Sequence, residues 1–190
     1  MKKIVLTFGL IAGAILSAML LIGILFRDAI GLAGGEILGY TSMVIAFLLI
    51  FFGVKSYRDN VAGGTIRFGR AFTVGALIAL VASVCYVATW EVVYYNLAPD
   101  FMSEYQAHAL NEMRADGATE AQIAEKKAEM DRFAELYRNP AINAAITFLE
   151  PLPVALIVAL VSAGVLSRGG RRREEPDAMM MGATSVSSTR

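Results

Sequence analysis

Four long apolar segments constrain this chain more than any other feature. They cover residues 4–26, 37–54, 72–95 and 141–166. A bilayer core of about 30 Å takes roughly 20 apolar residues as a helix, so each segment is long enough to span it. Because lipid cannot hydrogen-bond the backbone, each segment must be helical where it faces lipid. The sequence therefore predicts an all-α fold with a bundle of four transmembrane helices.

Positive charge flanks these segments mostly on one side, at the N-terminus, the second loop and the C-terminal tail. The residues are Lys2, Lys3, Lys55, Arg58, Arg67, Arg70, Arg168, Arg171, Arg172 and Arg173. Short cytoplasmic loops are enriched in lysine and arginine. This bias predicts a protein of the cytoplasmic (inner) membrane, with both termini in the cytoplasm and the first and third loops outside.

Composition and motifs argue against several functional classes. Lysine plus arginine and aspartate plus glutamate are both 17, so no overall charge favours nucleic acid. Cys85 and His108 are the single cysteine and histidine, which leaves no zinc-type ligand set, and we predict no metal and no cofactor. The chain has no HExxH and no Gly-x-Ser-x-Gly motif. We therefore expect that it is not an enzyme.

Small residues recur at i, i+4 and i+8 on one face of three helices. The three sets are Gly9, Gly13 and Ser17, then Gly75, Ala79 and Ser83, then Ala155, Ala159 and Ala163. Membrane helices associate by close packing at such faces, so they predict a compact bundle. An interface between copies of the chain is the alternative, and a parallel homo-oligomer is possible. The second helix, with Phe47, Phe51 and Phe52, is expected to be more exposed to lipid.

The polar segment at 96–140 predicts an extracytoplasmic helical hairpin between the third and fourth membrane-spanning helices. Its first helix would run from about Phe101 to Gly117. Thr119 and Gln122 form a capping-box pattern for the second, which would end before Pro140. A surface that binds a protein partner is one interpretation, and a solvated hairpin is the other.

Two carboxyl groups lie within apolar segments, Glu91 in the third and Glu150 in the fourth. A charged side chain there costs a few kcal/mol or more, so such residues often mark ion or proton paths. The third and fourth helices run in opposite directions, so the two carboxyls could face each other and share a proton. Hydrogen bonds from Tyr86, Thr89, Tyr94, Asn143 or Thr147 are possible. A structural role for a protonated glutamate is the alternative.

Pro151 and Pro153 remove two backbone donors beside Glu150. They predict a kink or unwound turn that moves Glu150 away from helical geometry and exposes carbonyl groups. Broken helices of this kind occur at transporter ion sites and also in helices with no ligand. On the cytoplasmic side, Arg67 and Arg70 are candidate contacts for lipid headgroups.

Three motifs together resemble a bacterial membrane family called domain of unknown function 4199. They are Ile66-Arg67-Phe68-Gly69-Arg70-Ala71-Phe72, then Leu80-Val81-Ala82-Ser83 leading to Trp90-Glu91-Val92-Val93-Tyr94, and Thr147-Phe148-Leu149-Glu150-Pro151-Leu152-Pro153. The resemblance extends nearly to Arg168. It implies four spanning helices, a short basic N-terminus and an acidic helical segment before the last helix, and it carries over no assigned site.

Two functional hypotheses follow for a membrane domain at 1–168 with a disordered cytoplasmic tail at 169–190. In the first, the chain is a non-enzymatic accessory or envelope membrane protein whose segment 96–140 meets a protein partner. In the alternative, it is a small proton- or cation-coupled transporter or channel that uses Glu91 and Glu150. In both, the arginines at 171–173 would anchor the last helix to anionic lipid.

Overall fold

A computed structural model describes residues 1–168, apart from the side chains of four residues between 28 and 36. The regular secondary structure in this range is all helix, with no strand. The helices are α1 (Lys2–Leu25), α2 (Arg27–Asn60), α3 (Phe68–Asn96), α4 (Phe101–Ala115), α5 (Glu120–Tyr137), α6 (Pro140–Leu149) and α7 (152–168). The predicted tail at 169–190, with Arg171, Arg172 and Arg173, lies outside the described residues.

Four helical stretches are long and apolar enough to cross a membrane. They are Lys2–Leu25, Ile37–Asn60, Phe68–Asn96 and Pro140–Arg168. The predicted four-span membrane fold is therefore confirmed. The second span continues past the predicted end at residue 54, because Lys55 and Arg58 are good helix formers and their charges can reach water.

The first small-residue face packs tightly against α3. A Cβ on Gly9 would lie 2.7 Å from Val81 Cβ, and one on Gly13 would lie 2.6 Å from Cys85 Cβ. One turn further on, Ser17 Oγ lies 2.7 Å from Thr89 Oγ1. Each of these pairs is separated by 72 residues, so α1 and α3 run parallel in a single register.

The other two small-residue faces meet each other between α3 and α7. A Cβ on Gly75 would lie 3.2 Å from Ala159 Cβ, which is tighter than ordinary contact. Ala155, Ala159 and Ala163 are fully buried, as is Ser83. All three predicted faces are thus covered within one chain, as the compact-bundle interpretation expected.

The second span does not face lipid as a whole, so that expectation was wrong. Phe47, Ile50 and Val54 are completely buried, whereas Phe52 is 51% exposed. Ala46 and Gly53 lie on the same buried side, and a Cβ on Gly53 would lie 2.5 Å from Ile78 Cδ1. These small residues let α2 approach its neighbours, so only the side that carries Phe52 is left for lipid.

Helices α4 and α5 pack together at one end of the bundle. At the end of α4, Gly117 has a φ of 81°, and Ala118 N–H donates to Met113 O at 2.9 Å, which is the geometry of a Schellman cap. The predicted capping box of Thr119 and Gln122 at the start of α5 is confirmed. Across the pair, Gln106 donates to Asp131 at 2.7 Å.

Candidate functional site

Glu150 lies between α6 and α7, in the half of the bundle that carries α4 and α5. The Tyr86 hydroxyl of α3 donates to Glu150 Oε2 at 3.3 Å. Of the five side chains that the sequence offered as hydrogen-bond partners, only Tyr86 contacts this carboxyl. Glu150 remains exposed at the surface of a cavity, so one carboxylate oxygen stays available to a ligand.

The proline break lies where the sequence predicts it, since α6 ends at Leu149 and helix resumes at residue 152. However, Glu150 keeps helical angles, φ −58° and ψ −54°, so the prediction that it leaves this geometry was wrong. The restriction on a residue before proline is a preference, and the helices on both sides outweigh it here. Pro151 is buried and Pro153 is exposed, and neither can donate to the carbonyl four residues earlier.

Glu91 is not part of the same cluster as Glu150. It follows Tyr86 by five residues on α3, which places it about 140° around the helix axis from the side chain that contacts Glu150. No hydrogen bond joins the two carboxyls among the described residues, and Glu91 does not line the cavity. Its buried Oε1 has no hydrogen-bond partner within residues 1–168. The structure therefore does not bring the two carboxyl groups together.

Thr147 and Tyr94 belong to a second cluster, which fastens the end of α5 to α3 and α6. Trp90 Nε1 donates to the Tyr137 hydroxyl at 2.9 Å, and that hydroxyl lies 3.1 Å from Thr147 Oγ1. Thr147 Oγ1 in turn donates to Asn143 Oδ1 at 3.2 Å. The Tyr94 ring packs edge-on against Tyr137, with centroids 5.3 Å apart.

The hydrogen bonds of this second cluster hold α3, α5 and α6 together. Burial raises the pKa of the Tyr137 phenol, so it stays neutral and can accept from Trp90 while donating to Thr147. The Tyr137 and Thr147 hydroxyls each accept one hydrogen bond and donate another. Thr147 and Tyr94 therefore belong to this cluster, and neither forms a hydrogen bond with the Glu150 carboxyl.

A cavity of about 610 Å³ lies between α1, α2, α3 and α4, with Glu150 in its wall. Three glycines of α2, Gly31, Gly35 and Gly39, line it at i, i+4 and i+8. A Cβ on any of them would meet no atom within 4 Å, in contrast to the filled sites at Gly9 and Gly13. Open space therefore lies beside these three glycines on the cavity side of α2.

Gly31 also breaks α2. Its φ of 70° and ψ of 173° lie in a region essentially restricted to glycine. The break separates the first turn of α2, at Arg27, from the membrane-spanning part that begins at Ile37. The cavity wall therefore includes a bent helix, α2, whose three glycines add no side chains to it.

Charged groups in the cavity wall do not balance. Arg27 forms a two-pronged ion pair with Glu104 of α4, at 2.9 and 3.1 Å, so these two charges cancel. His108 also lines the cavity. Glu150 forms no ion pair with any described residue. The described wall therefore carries one carboxyl group without a basic partner.

The remaining predicted residues lie on the opposite side of the bundle. Arg67 is the residue before α3, Arg70 is in its first turn, and both are exposed. Contact with lipid headgroups stays a prediction for both. Among the described residues, no three His, Cys, Asp or Glu side chains are grouped so that they could hold a metal ion.

Sequence reasoning missed the ion pair of Arg27 with Glu104 and the cavity beside it. One signal was available: the prediction puts the first and third loops on the same side of the membrane, and these two residues have opposite charge. The sequence did not indicate that α4 packs against the start of α2. Neither helical periodicity nor hydropathy specifies that contact.

Comparison with known proteins gives one match. The family model described as "Protein of unknown function (DUF4199)" matches residues 7–168, which include most of the first span, the other three spans, Tyr86 and Glu150. No curated protein and no solved structure matches the chain. Because the family model covers most of the sequence, including every element around the cavity, the chain belongs to the DUF4199 family.

Proposed function

We propose that this membrane protein is a non-enzymatic binding protein, an accessory component of the cytoplasmic membrane whose cavity holds one small amphipathic molecule. The cavity itself carries the proposal. Its volume of about 610 Å³ is typical of small-molecule sites, which measure roughly 300–1,000 Å³. Apolar side chains of α1, including Leu16, Leu20 and Ile24, line one wall, and the polar groups of Arg27, Glu104 and Glu150 line others.

A binding role suits the residues around this cavity better than catalysis. Nucleophilic catalysis needs a nucleophile and a base within hydrogen-bond reach of each other. His108 is the single histidine, and it forms no hydrogen bond with a described residue. Glu150 contacts only a tyrosine hydroxyl.

The proposed orientation places α4 and α5 outside and both termini in the cytoplasm, because the basic residues flank the opposite ends of the spans. We expect alkaline phosphatase inserted at Gly117 to be active and a fluorescent protein fused to the C-terminus to be fluorescent. The pair of fusions serves as its own control, since each reporter works on one side only. An inactive phosphatase at Gly117 together with a dark C-terminal fusion would reverse the orientation.

Occupancy of the cavity can be measured directly, because Trp90 is the only tryptophan and lines it. We expect a dodecyl alcohol brominated at its chain end to quench Trp90 fluorescence saturably in detergent solution, and the unbrominated alcohol to reverse the quenching. Gly39→Phe should weaken binding by roughly tenfold, because the ring would occupy empty cavity space.

Gly164→Phe is the matched control for Gly39→Phe. A Cβ at Gly164 also meets no atom within 4 Å, but this glycine does not line the cavity. Its affinity should equal that of the wild type. Quenching that rises linearly without saturation, or equal affinities for all three proteins, would contradict a binding site at this position.

Coupled transport is the second candidate, favoured by the position of Glu150 in a cavity wall at a helix break. Glu91 lies outside that cavity, so only Glu150 would serve in it. Flux of the ligand in liposomes that depends on a pH gradient and is abolished by Glu150→Gln would favour this function over simple binding. Absence of flux despite saturable binding would favour the binding protein.

Two predictions concern binding partners, a second protein and further copies of this chain. The structure of a single chain tests neither. A protein partner would meet the surface of 96–140, where Phe133 and Leu136 of α5 are exposed. A pull-down in which Leu136→Glu retains every wild-type partner would remove that role. A parallel homo-oligomer would be measured by light scattering of the purified protein.

A further inference from the structure

We propose that the ligand of this cavity is an amphipathic organic cation, with an ammonium head against Glu150 and an alkyl chain along α1. This inference rests on the proposed binding function and names its ligand class. Charge, aromatic surface and the small number of side-chain oxygen ligands among the described wall residues each support an ammonium group over the other head groups that the cavity could accept.

The charge of the cavity wall favours a cation. Arg27 and Glu104 neutralise each other, which leaves the Glu150 carboxyl as the one acidic group in the described wall without a basic partner. The Tyr86 hydroxyl occupies only one of about four lone-pair positions on that carboxylate. An ammonium group can donate to the others, and in an apolar surrounding such a charge-assisted hydrogen bond is stronger than a neutral one.

Aromatic side chains around the same space favour an organic cation. Tyr40, Tyr86, Trp90, Phe101 and Tyr105 all line the cavity, and they come from three different helices. A cation over an aromatic face gains about 0.5–2 kcal/mol, and more than one ring can contribute when rings surround the site. An anion would meet the same π faces and the Glu150 carboxylate, and would be repelled by both.

An inorganic cation is a poorer fit than an ammonium group. Calcium takes six to eight oxygen ligands, and magnesium requires near-octahedral geometry. Apart from Glu150 and Tyr86, the nearby hydroxyl of Ser42 is already bonded to Gly39 O at 2.7 Å. The apolar wall formed by Leu16, Leu20 and Ile24 also has no role for a bare ion but can cover an alkyl chain.

The test compares three probes that share a dodecyl chain brominated at its end and differ in the head group: ammonium, hydroxyl and carboxylate. Quenching of Trp90 reports binding of each to the full-length protein in neutral detergent. We expect the ammonium probe to bind wild type at least about tenfold more tightly than the alcohol, and the carboxylate most weakly. Glu150→Gln should remove the preference for ammonium over the alcohol.

Glu91→Gln is the matched control, because Glu91 is also a carboxyl within a span but lies outside the cavity. It should retain the wild-type preference. If the alcohol binds as tightly as the ammonium probe to wild type, or if Glu150→Gln keeps the preference, the inference of a cation is wrong while the binding function stands. If none of the three probes quenches Trp90 saturably, the proposed binding function fails as well.

Discussion

Replacing Gly13 by leucine should destabilise the bundle by about 3 kcal/mol or more, at or above the upper end of typical overpacking costs. The first side-chain atom alone would lie 2.6 Å from Cys85 Cβ and 3.4 Å from Ala82 Cα. The backbone of α3 cannot rotate away as a long side chain could, so α1 must move outward. That movement would also break the contact of Ser17 with Thr89 one turn later. Equilibrium unfolding in mixed detergent micelles measures the loss.

Gly164→Leu is the control for this substitution. It places the same side chain in a spanning helix where a Cβ meets no atom within 4 Å, so its free energy of unfolding should change little or rise slightly through better helix propensity. Gly13→Ala should fall between the two, because it adds only the first clashing atom. If Gly13→Leu and Gly164→Leu are equally stable, the close packing of α1 on α3 is wrong.

Truncating Phe47 to alanine should cost about 3 kcal/mol, near the lower end for Phe-to-Ala changes in protein cores. Phe47 is completely buried in the bundle. The unfolded helices remain in lipid, where a phenyl ring is still in an apolar surrounding, so little of the cost comes from water. What is lost is packing against neighbouring side chains and the cavity left behind.

Phe52→Ala makes the same chemical change on the exposed side of the same helix. Its free energy of unfolding should differ from wild type by less than about 0.5 kcal/mol, because Phe52 contacts lipid before and after unfolding. Both variants are measured by the same micelle titration. Equal losses, or a larger loss for Phe52→Ala, would mean that α2 faces the bundle with its other side.

The burial of α2 shows which part of a membrane fold is hard to predict from sequence. In a soluble protein, the sequence would distinguish the positions of Phe47 and Phe52, because the exposed position would usually carry a polar residue. In a bilayer, both the lipid and the bundle interior accept phenylalanine, so an apolar sequence gives the span but not its rotation. The small residues Ala46 and Gly53 could have indicated the buried face of α2, because small residues mark a face that packs closely on another helix, as Gly9 and Gly13 do in α1.

The candidate site could also be predicted only in part. Position along a helix could be predicted, and the helix break beside Glu150 does lie at the two prolines. The direction in which a side chain points around its helix axis could not be predicted. That direction separates Glu91 from Glu150 and places Thr147 and Tyr94 in a different cluster. The cavity depended on an absence of side chains at Gly35 and Gly39 and on the fold-back of α4, neither of which leaves a hydropathy signal.

The register between α1 and α3 has a consequence for how the chain is made. The face of α1 that carries Gly9 and Gly13 is covered by residues 72 positions later. At about 5–20 residues per second, a ribosome needs roughly 4–14 s to supply them. During that interval the residues of α3 that cover the glycine face of α1 have not yet been synthesised. Synthesis therefore includes a stage at which this closely packed face of α1 is still without its partner α3.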